Sequence, residues 1–340
     1  MGESSRIDLV SKVVIVTLIV AVVGTAGYFG WTVYSDRVLA ERSSPAGRII
    51  AVLRDQIKAE PNDAALRVRL GEALSAIGRD EEAIEQFNAA LTIDPEHTGA
   101  LIDLGHLAVR NKRMTEADGY FRQVIELTEG SEFEAASDRR EIALYQLGVI
   151  SVSQRRYEDA IGYLKAALRI RKDASDSYYF LALAMDGIED TEGAIRQLEI
   201  AVAFDPNFGQ AQYYLGQLHS RAGDEVKAAE HFAAAVKADP DALEPKEALE
   251  QFGSVSELLA QARQLQAGQP AQALERAMIA NYVAPKDPAA ALLKAELLEE
   301  TDEPKAALDA YRAALKLSPE SQPIQAAIER LQDSTDKAAE

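Results

Sequence analysis

The chain has no cysteine, four histidines and one tryptophan among its 340 residues, and aromatic side chains make up only 6% of it. The missing cysteines exclude disulfides, thiolate metal sites, a cysteine nucleophile and a lipid anchor carried on a cysteine of this chain. The histidines are His97, His106, His219 and His231. His219 and His231 fall on different helices of one segment, with no third ligand beside them, and read as ordinary side chains. HExxH, GxSxG, Walker and GxGxxG sequences are absent, so neither catalysis nor a cofactor is expected. The carboxylate pairs Glu81-Glu82 and Glu299-Glu300 read as solvated helix charges. Basic residues are scarce, 36 Lys and Arg against 55 Asp and Glu, for a net charge of −19. A phosphate backbone calls for the opposite balance, which argues against nucleic acid as a partner. The field of such a surface favours basic protein segments instead.

Long apolar runs are missing as well, with one exception. From Val13 to Ser35 there is no charged residue, and the run is mostly apolar. About 20 such residues cross a hydrocarbon core. Tyr28, Phe29, Trp31 and Tyr34 cluster at its far end, as interface-seeking aromatics do. The rival reading is a signal peptide cut near Gly24-Thr25-Ala26. The apolar character continues past that point, which favours an uncleaved transmembrane helix over 13–35, after a tail over 1–12. A short N-terminal tail before a single span usually stays inside, so the expectation is a single-pass cell-membrane protein with its remainder on the extracytoplasmic side. Residues 1–48 carry five basic and four acidic residues, a net of +1, leaving −20 on the rest.

That remainder repeats. Ala83, Ala117, Ala160, Ala194, Ala228, Ala273 and Ala307 follow one another at spacings of 34, 43, 34, 34, 45 and 34. Twelve residues before the alanine stands a small residue: Gly71, Gly105, Gly148, Ala182, Gly216 or Ala295, with Gln261 the exception. Four after it comes Phe87, Phe121, Leu164, Leu198, Phe232, Ala277 or Tyr311, and seven after it a further small or β-branched residue. Those offsets put the alanine and its followers on one buried helical face. Pro95, Pro206, Pro240, Pro285 and Pro319 close five units, and Gly78, Gly223 and Gly268 mark turns inside them. Two insertions break the period, around Leu127–Glu141 and Asp241–Gly253. Either can lengthen a helix or form a connector, and the second carries the pattern of a short extra helix.

This in-phase pattern resembles the tetratricopeptide repeat (TPR) family, in its membrane-anchored bacterial form. The resemblance implies an all-α fold, a right-handed superhelical solenoid of about seven helix–turn–helix units over 64–321, behind one N-terminal transmembrane helix. Residues 36–48 read as a linker, 49–61 as an N-terminal capping helix and 322–340 as a C-terminal capping helix with a frayed tail. In such arrays the first helices line a concave groove. The groove positions here are Tyr145, Tyr179 and Tyr213, spaced 34 apart, with His106, Gln217, Arg110 and Arg221 along the same face. Tyrosine suits a peptide groove, pairing a rigid apolar body with a hydroxyl. The same tyrosines can equally pack neighbouring units together. The lysines and asparagines of the family's clamp for acidic chain ends are missing. The implied function is a scaffold that binds a protein or peptide, with basic segments favoured by its charge, and assists assembly of envelope or exported proteins. Two alternatives stand beside it: a cytochrome c maturation accessory that presents apocytochrome, and a self-assembling structural protein, a homo-oligomer.

Overall fold

The computed structural model describes residues 44–129 and 138–339, with side chains to residue 332. The expected tail, the span over 13–35, most of the linker and the middle of the first insertion lie outside the described residues. Among those described, the regular elements are all helices, and none is long and apolar enough to cross a membrane. Two compact units divide the chain, ending and beginning at Ala143 and Leu144 inside one helix.

The first unit opens with α1 (Pro45–Ala59), followed by the pairs α2 (Ala64–Ala76) with α3 (Asp80–Ile93) and α4 (Thr98–Arg110) with α5 (Met114–Thr128). The helix α1 begins within the stretch expected to be linker. Ser44 accepts a hydrogen bond from the Gly47 amide, and Pro45 supplies the fixed φ that suits a first helical position. Helix α6 (Asp138–Ser153) straddles the division and starts about a turn early, so part of the first insertion lengthens a helix.

The second unit continues with α7 (Tyr157–Ile170) and then the pairs α8 (Ser175–Gly187) with α9 (Thr191–Phe204) and α10 (Gly209–Arg221) with α11 (Glu225–Ala238). The second insertion forms a short helix, α12 (Leu243–Glu250), where the sequence pattern predicts one. The pairs α13 (Val255–Gln266) with α14 (Pro270–Val283) and α15 (Pro288–Glu300) with α16 (Pro304–Leu317) follow. Last comes α17 (Gln322–Ala339), which stays helical past Ser334, where fraying is expected; its Lys-Ala-Ala end is a good helix former.

Packing inside each pair explains the sequence frame. All seven repeat alanines are fully buried. A Cβ placed on Gly71 or Gly105 would stand 2.6 Å from the ring of Phe87 or Phe121; on Gly148 or Gly216 it would stand 2.5 Å from Leu164 or Phe232. The first helix is therefore small where the second is large, and each such buried side chain contributes about 1.5–3 kcal/mol.

The turn between the helices of a pair has its own rule. At Gly78, Lys112, Arg155, Glu189, Gly223 and Asp302 the backbone is left-handed, with φ between 59° and 80°. Around each, two amides reach back across the helix end, as Arg79 N–H to Leu74 O (2.9 Å) and Gly78 N–H to Ser75 O (3.0 Å) do. This is the Schellman arrangement. Gly268 occupies the remaining such station, the sixth of seven in chain order, but has no positive φ, and Gln269 N–H bonds Leu265 O instead. The helix before it is rotated as a result. Ala262, not Gln261, is the fully buried small residue of that unit, and Gln261 is exposed.

Candidate functional site: the first-helix faces

Each unit carries its own part of the face expected to bind a partner. In the first unit, His106 and Arg110 line a cavity of about 300 Å³ with Glu72, Asp103, Phe87 and Leu107. His106 leans on the Phe121 ring at 5.6 Å, and burial pushes its imidazole pKa down. Arg110 is tied to the preceding pair, donating to Asp80 (3.1 Å) and Ser75 (3.0 Å). Burial first, and then the neighbouring Glu72 carboxylate, push Asp103 up to about 6.

In the second unit Phe180 links Tyr145 to Tyr179, and Tyr213 packs with a different set of rings. Tyr145 and Tyr179 both meet Phe180 edge-on, at 5.8 and 5.3 Å. Tyr179 also meets Phe208 at 5.2 Å and Tyr214 at 6.4 Å, both on the following repeat. Tyr213 packs on Phe232 at 5.6 Å, and Phe232 on Phe252 at 6.4 Å. The contacts of Tyr145 with Phe180 and of Tyr179 with Phe208 and Tyr214 join one repeat to the next, Phe232 is buried, and the other rings are half-buried. Burial raises the Tyr179 phenol above its ordinary pKa.

Tyr213, Gln217 and Arg221 converge. They lie along α10 at offsets of four, hence on one face, and line a single cavity of about 680 Å³. Its other walls come from Asp186 and Tyr214, and from Ala248, Gln251 and Phe252 at the inserted helix. Arg221 is not a free cation there. It donates to Asp186 at 2.7 Å, and the Tyr214 hydroxyl donates to the same oxygen at 2.6 Å. Burial alone would raise the Asp186 carboxyl, but the bonds from Tyr214 and Arg221 outweigh it and hold it below the usual carboxylate range.

The remaining polar candidates are structural ties. Glu82 accepts from Arg54 at 3.1 Å. Glu299 accepts from Tyr311 (3.0 Å) and Arg330 (2.9 Å), and Glu300 from Gln266 (2.6 Å). These carboxylates thus sit at the surface as expected, and Glu82, Glu299 and Glu300 also tie neighbouring elements there. His97 caps α4, its Nδ1 accepting from the Ala100 amide at 3.2 Å. His219 and His231 stack in parallel at 5.4 Å, and His231 bonds Gln212 at 2.8 Å. Among the described residues no group of three His, Asp or Glu is placed to hold a metal ion. Sequence reasoning missed Asp186, Tyr214 and Phe252. The doublets Tyr178-Tyr179 and Tyr213-Tyr214, and the aromatic inside the second insertion, were the available signals.

Paired helices, small-against-large packing and a side-chain-lined face define a helical repeat scaffold for protein interaction. One tetratricopeptide repeat family model matches residues 47–98, 181–242 and 260–321, and a second matches 143–178. The chain belongs to the tetratricopeptide repeat family. Such repeats are in general non-catalytic, and no enzyme family is indicated over them. The chain is 22% identical over 185 residues to the BBSome complex member BBS4 of Bos taurus, covering 46% of this chain and 35% of that protein. It is 34% identical over 83 residues to the protein O-mannosyl-transferase Tmtc1 of Drosophila melanogaster, covering 23% and 10%. It thus spans about a third of one curated relative and a tenth of the other. Among solved structures, PilW, a widely conserved type IV pilus biogenesis factor, aligns with a TM-score of 0.52 at 18% identity, over 64% of this chain and 97% of its own. At that identity the likeness concerns the fold alone.

Proposed function

We propose that this chain is an adaptor that holds a polypeptide partner along its first-helix faces while anchored in a membrane through residues 13–35. The repeats stand outside the cytoplasm and assist assembly of envelope or exported proteins. The observation that carries the binding role is the convergence of Tyr213, Gln217 and Arg221 on one cavity of about 680 Å³, a size typical of ligand sites. The uncharged run from Val13 to Ser35 supports the anchor. The charge of −20 beyond residue 48 draws basic segments toward the repeats.

The binding role is tested by a photoreactive residue at Gln217 in living cells. A discrete adduct with another polypeptide supports it and identifies the client, an apocytochrome included. Adducts only between copies of this chain, or none, overturn it in favour of self-assembly. The anchor is tested separately: extraction of the chain from membranes by alkaline carbonate, or protection of the repeats from protease added outside the cytoplasmic membrane, refutes that part.

A further inference from the structure

The cavity beside α10 exists because the repeat period is broken. Helix α11 packs against both α12 and α14. The inserted helix α12 and the turn after it supply Ala248, Gln251 and Phe252, the wall facing Tyr213 and Tyr214. Phe252 is held there by Phe232 beneath it.

The charges of this site are satisfied within the chain. Arg221 pairs with Asp186 at 2.7 Å, and Glu225 with Arg276 at 2.7 Å. Beside these pairs the cavity is lined by the half-buried rings of Tyr213, Tyr214 and Phe252 over the buried Phe232, and by the polar side chains of Gln217, Ser220 and Gln251. A charged side chain entering it would lose water and find each counter-charge already taken. An uncharged bulky side chain would meet ring faces on several sides, with side-chain amides at the rim able to bond an extended backbone.

We propose that Tyr213, Tyr214, Phe232 and Phe252 form a recognition pocket, walled by the inserted helix α12, that takes an uncharged aromatic or long aliphatic side chain from an extended partner segment. This rests on the binding role above and specifies its partner: a segment drawn in by positive charge elsewhere along it, and fixed by one apolar anchor. The insertion that interrupts the solenoid is its specificity element.

The test uses the full chain in detergent and extended Gly-Ser-Asn host peptides that differ in one central residue: Trp, Leu, Lys or Glu. Affinity is read by fluorescence anisotropy of a label on each peptide. Trp and Leu peptides are expected to bind at least roughly tenfold more tightly than Lys or Glu peptides. Phe252→Ala should abolish that preference. Gln251→Glu, at an exposed position that leaves packing intact, should weaken Trp binding severalfold. Equal binding of charged and apolar peptides overturns the proposal, as does a preference that survives both variants. If no peptide binds while the Gln217 cross-link still captures a client, the pocket assignment falls and the adaptor reading stands. If both fail, both fall.

Discussion

Gly78, Gly223 and Gly268 stand at the same station of their repeats, yet replacing each by alanine should give opposite results. Space is not the difference, because a Cβ on any of the three would meet nothing within 4 Å. Backbone conformation is. Gly78 and Gly223 have φ of 75° and 80°, whereas Gly268 has no positive φ. An L residue in the left-handed region costs roughly 1–2 kcal/mol, of which about 0.5–1 is offset because alanine has less freedom to lose than glycine. Gly78→Ala and Gly223→Ala should therefore each destabilise by about 1 kcal/mol. Gly268→Ala incurs no left-handed cost and should stabilise by about 0.4–1 kcal/mol. The same logic runs backwards at Lys112, Arg155, Glu189 and Asp302, which are left-handed without being glycine; glycine there should stabilise by about 0.5–1 kcal/mol each. Urea unfolding followed by far-UV circular dichroism gives the comparison as midpoints at constant slope, the safer reading for a repeat array. If Gly268→Ala destabilises as much as Gly223→Ala, the altered turn and the helix rotation attributed to it are wrong.

Three further predictions follow from packing and ionisation. Burial, with His219 and Lys227 beside it, pushes His231 down to about 4. Its folded pKa lies below the unfolded value near 6.5, so the stability it contributes is complete above pH 6.5 and is lost as pH falls toward 4, about 2 kcal/mol after allowance for solvent screening. His231→Gln should flatten the fall in melting temperature across that window, and unchanged slopes would refute the assignment. Gly148→Ala would set a Cβ 2.5 Å from Leu164 and should cost about 1–3 kcal/mol; in combination with Leu164→Ala that cost should disappear, giving a clear coupling energy in a double-mutant cycle. The Ser177 hydroxyl is fully buried without a hydrogen-bond partner among the described residues, so Ser177→Ala should raise stability by about 1 kcal/mol, and a loss on thermal unfolding would contradict it.

Much of the fold was legible because the repeat writes the same steric requirement several times. A glycine opposite a phenylalanine is one coincidence at Gly71 and Phe87; repeated at Gly105 with Phe121 and Gly216 with Phe232, it becomes a rule of close approach. What a residue count cannot carry is rotation. Gln261 sits at the counted position of the small residue, but the turn at Gly268 closes differently, and Ala262 takes the buried place. The left-handed turns at Lys112, Arg155 and Glu189 were equally hidden, since their identities carry no such signal, whereas the aspartate at Asp302 carries a weak one. The arginines of the expected groove were legible in place but not in role. Arg110 finds Asp80 and Arg221 finds Asp186, partners 30 and 35 residues earlier, on the preceding repeat. Local spacing on one helix does not reveal such a pair.

The contrast between the regular stations and the insertion bears on where specificity arises in an array of this kind. Equivalent residues in regular units meet equivalent neighbours, as the four glycine contacts do, so a strictly regular face offers similar subsites at each step and discriminates weakly between sequences. Discrimination needs a surface found at one place only. At α12 the chain departs from its period, α11 acquires α12 and α14 as neighbours, and aromatic residues from one repeat and the insertion come to surround a single cavity. The paired charges Asp186–Arg221 and Glu225–Arg276 lie beside it. There they tie neighbouring helices together, which in the pocket proposed above leaves the aromatic faces as the selecting surface.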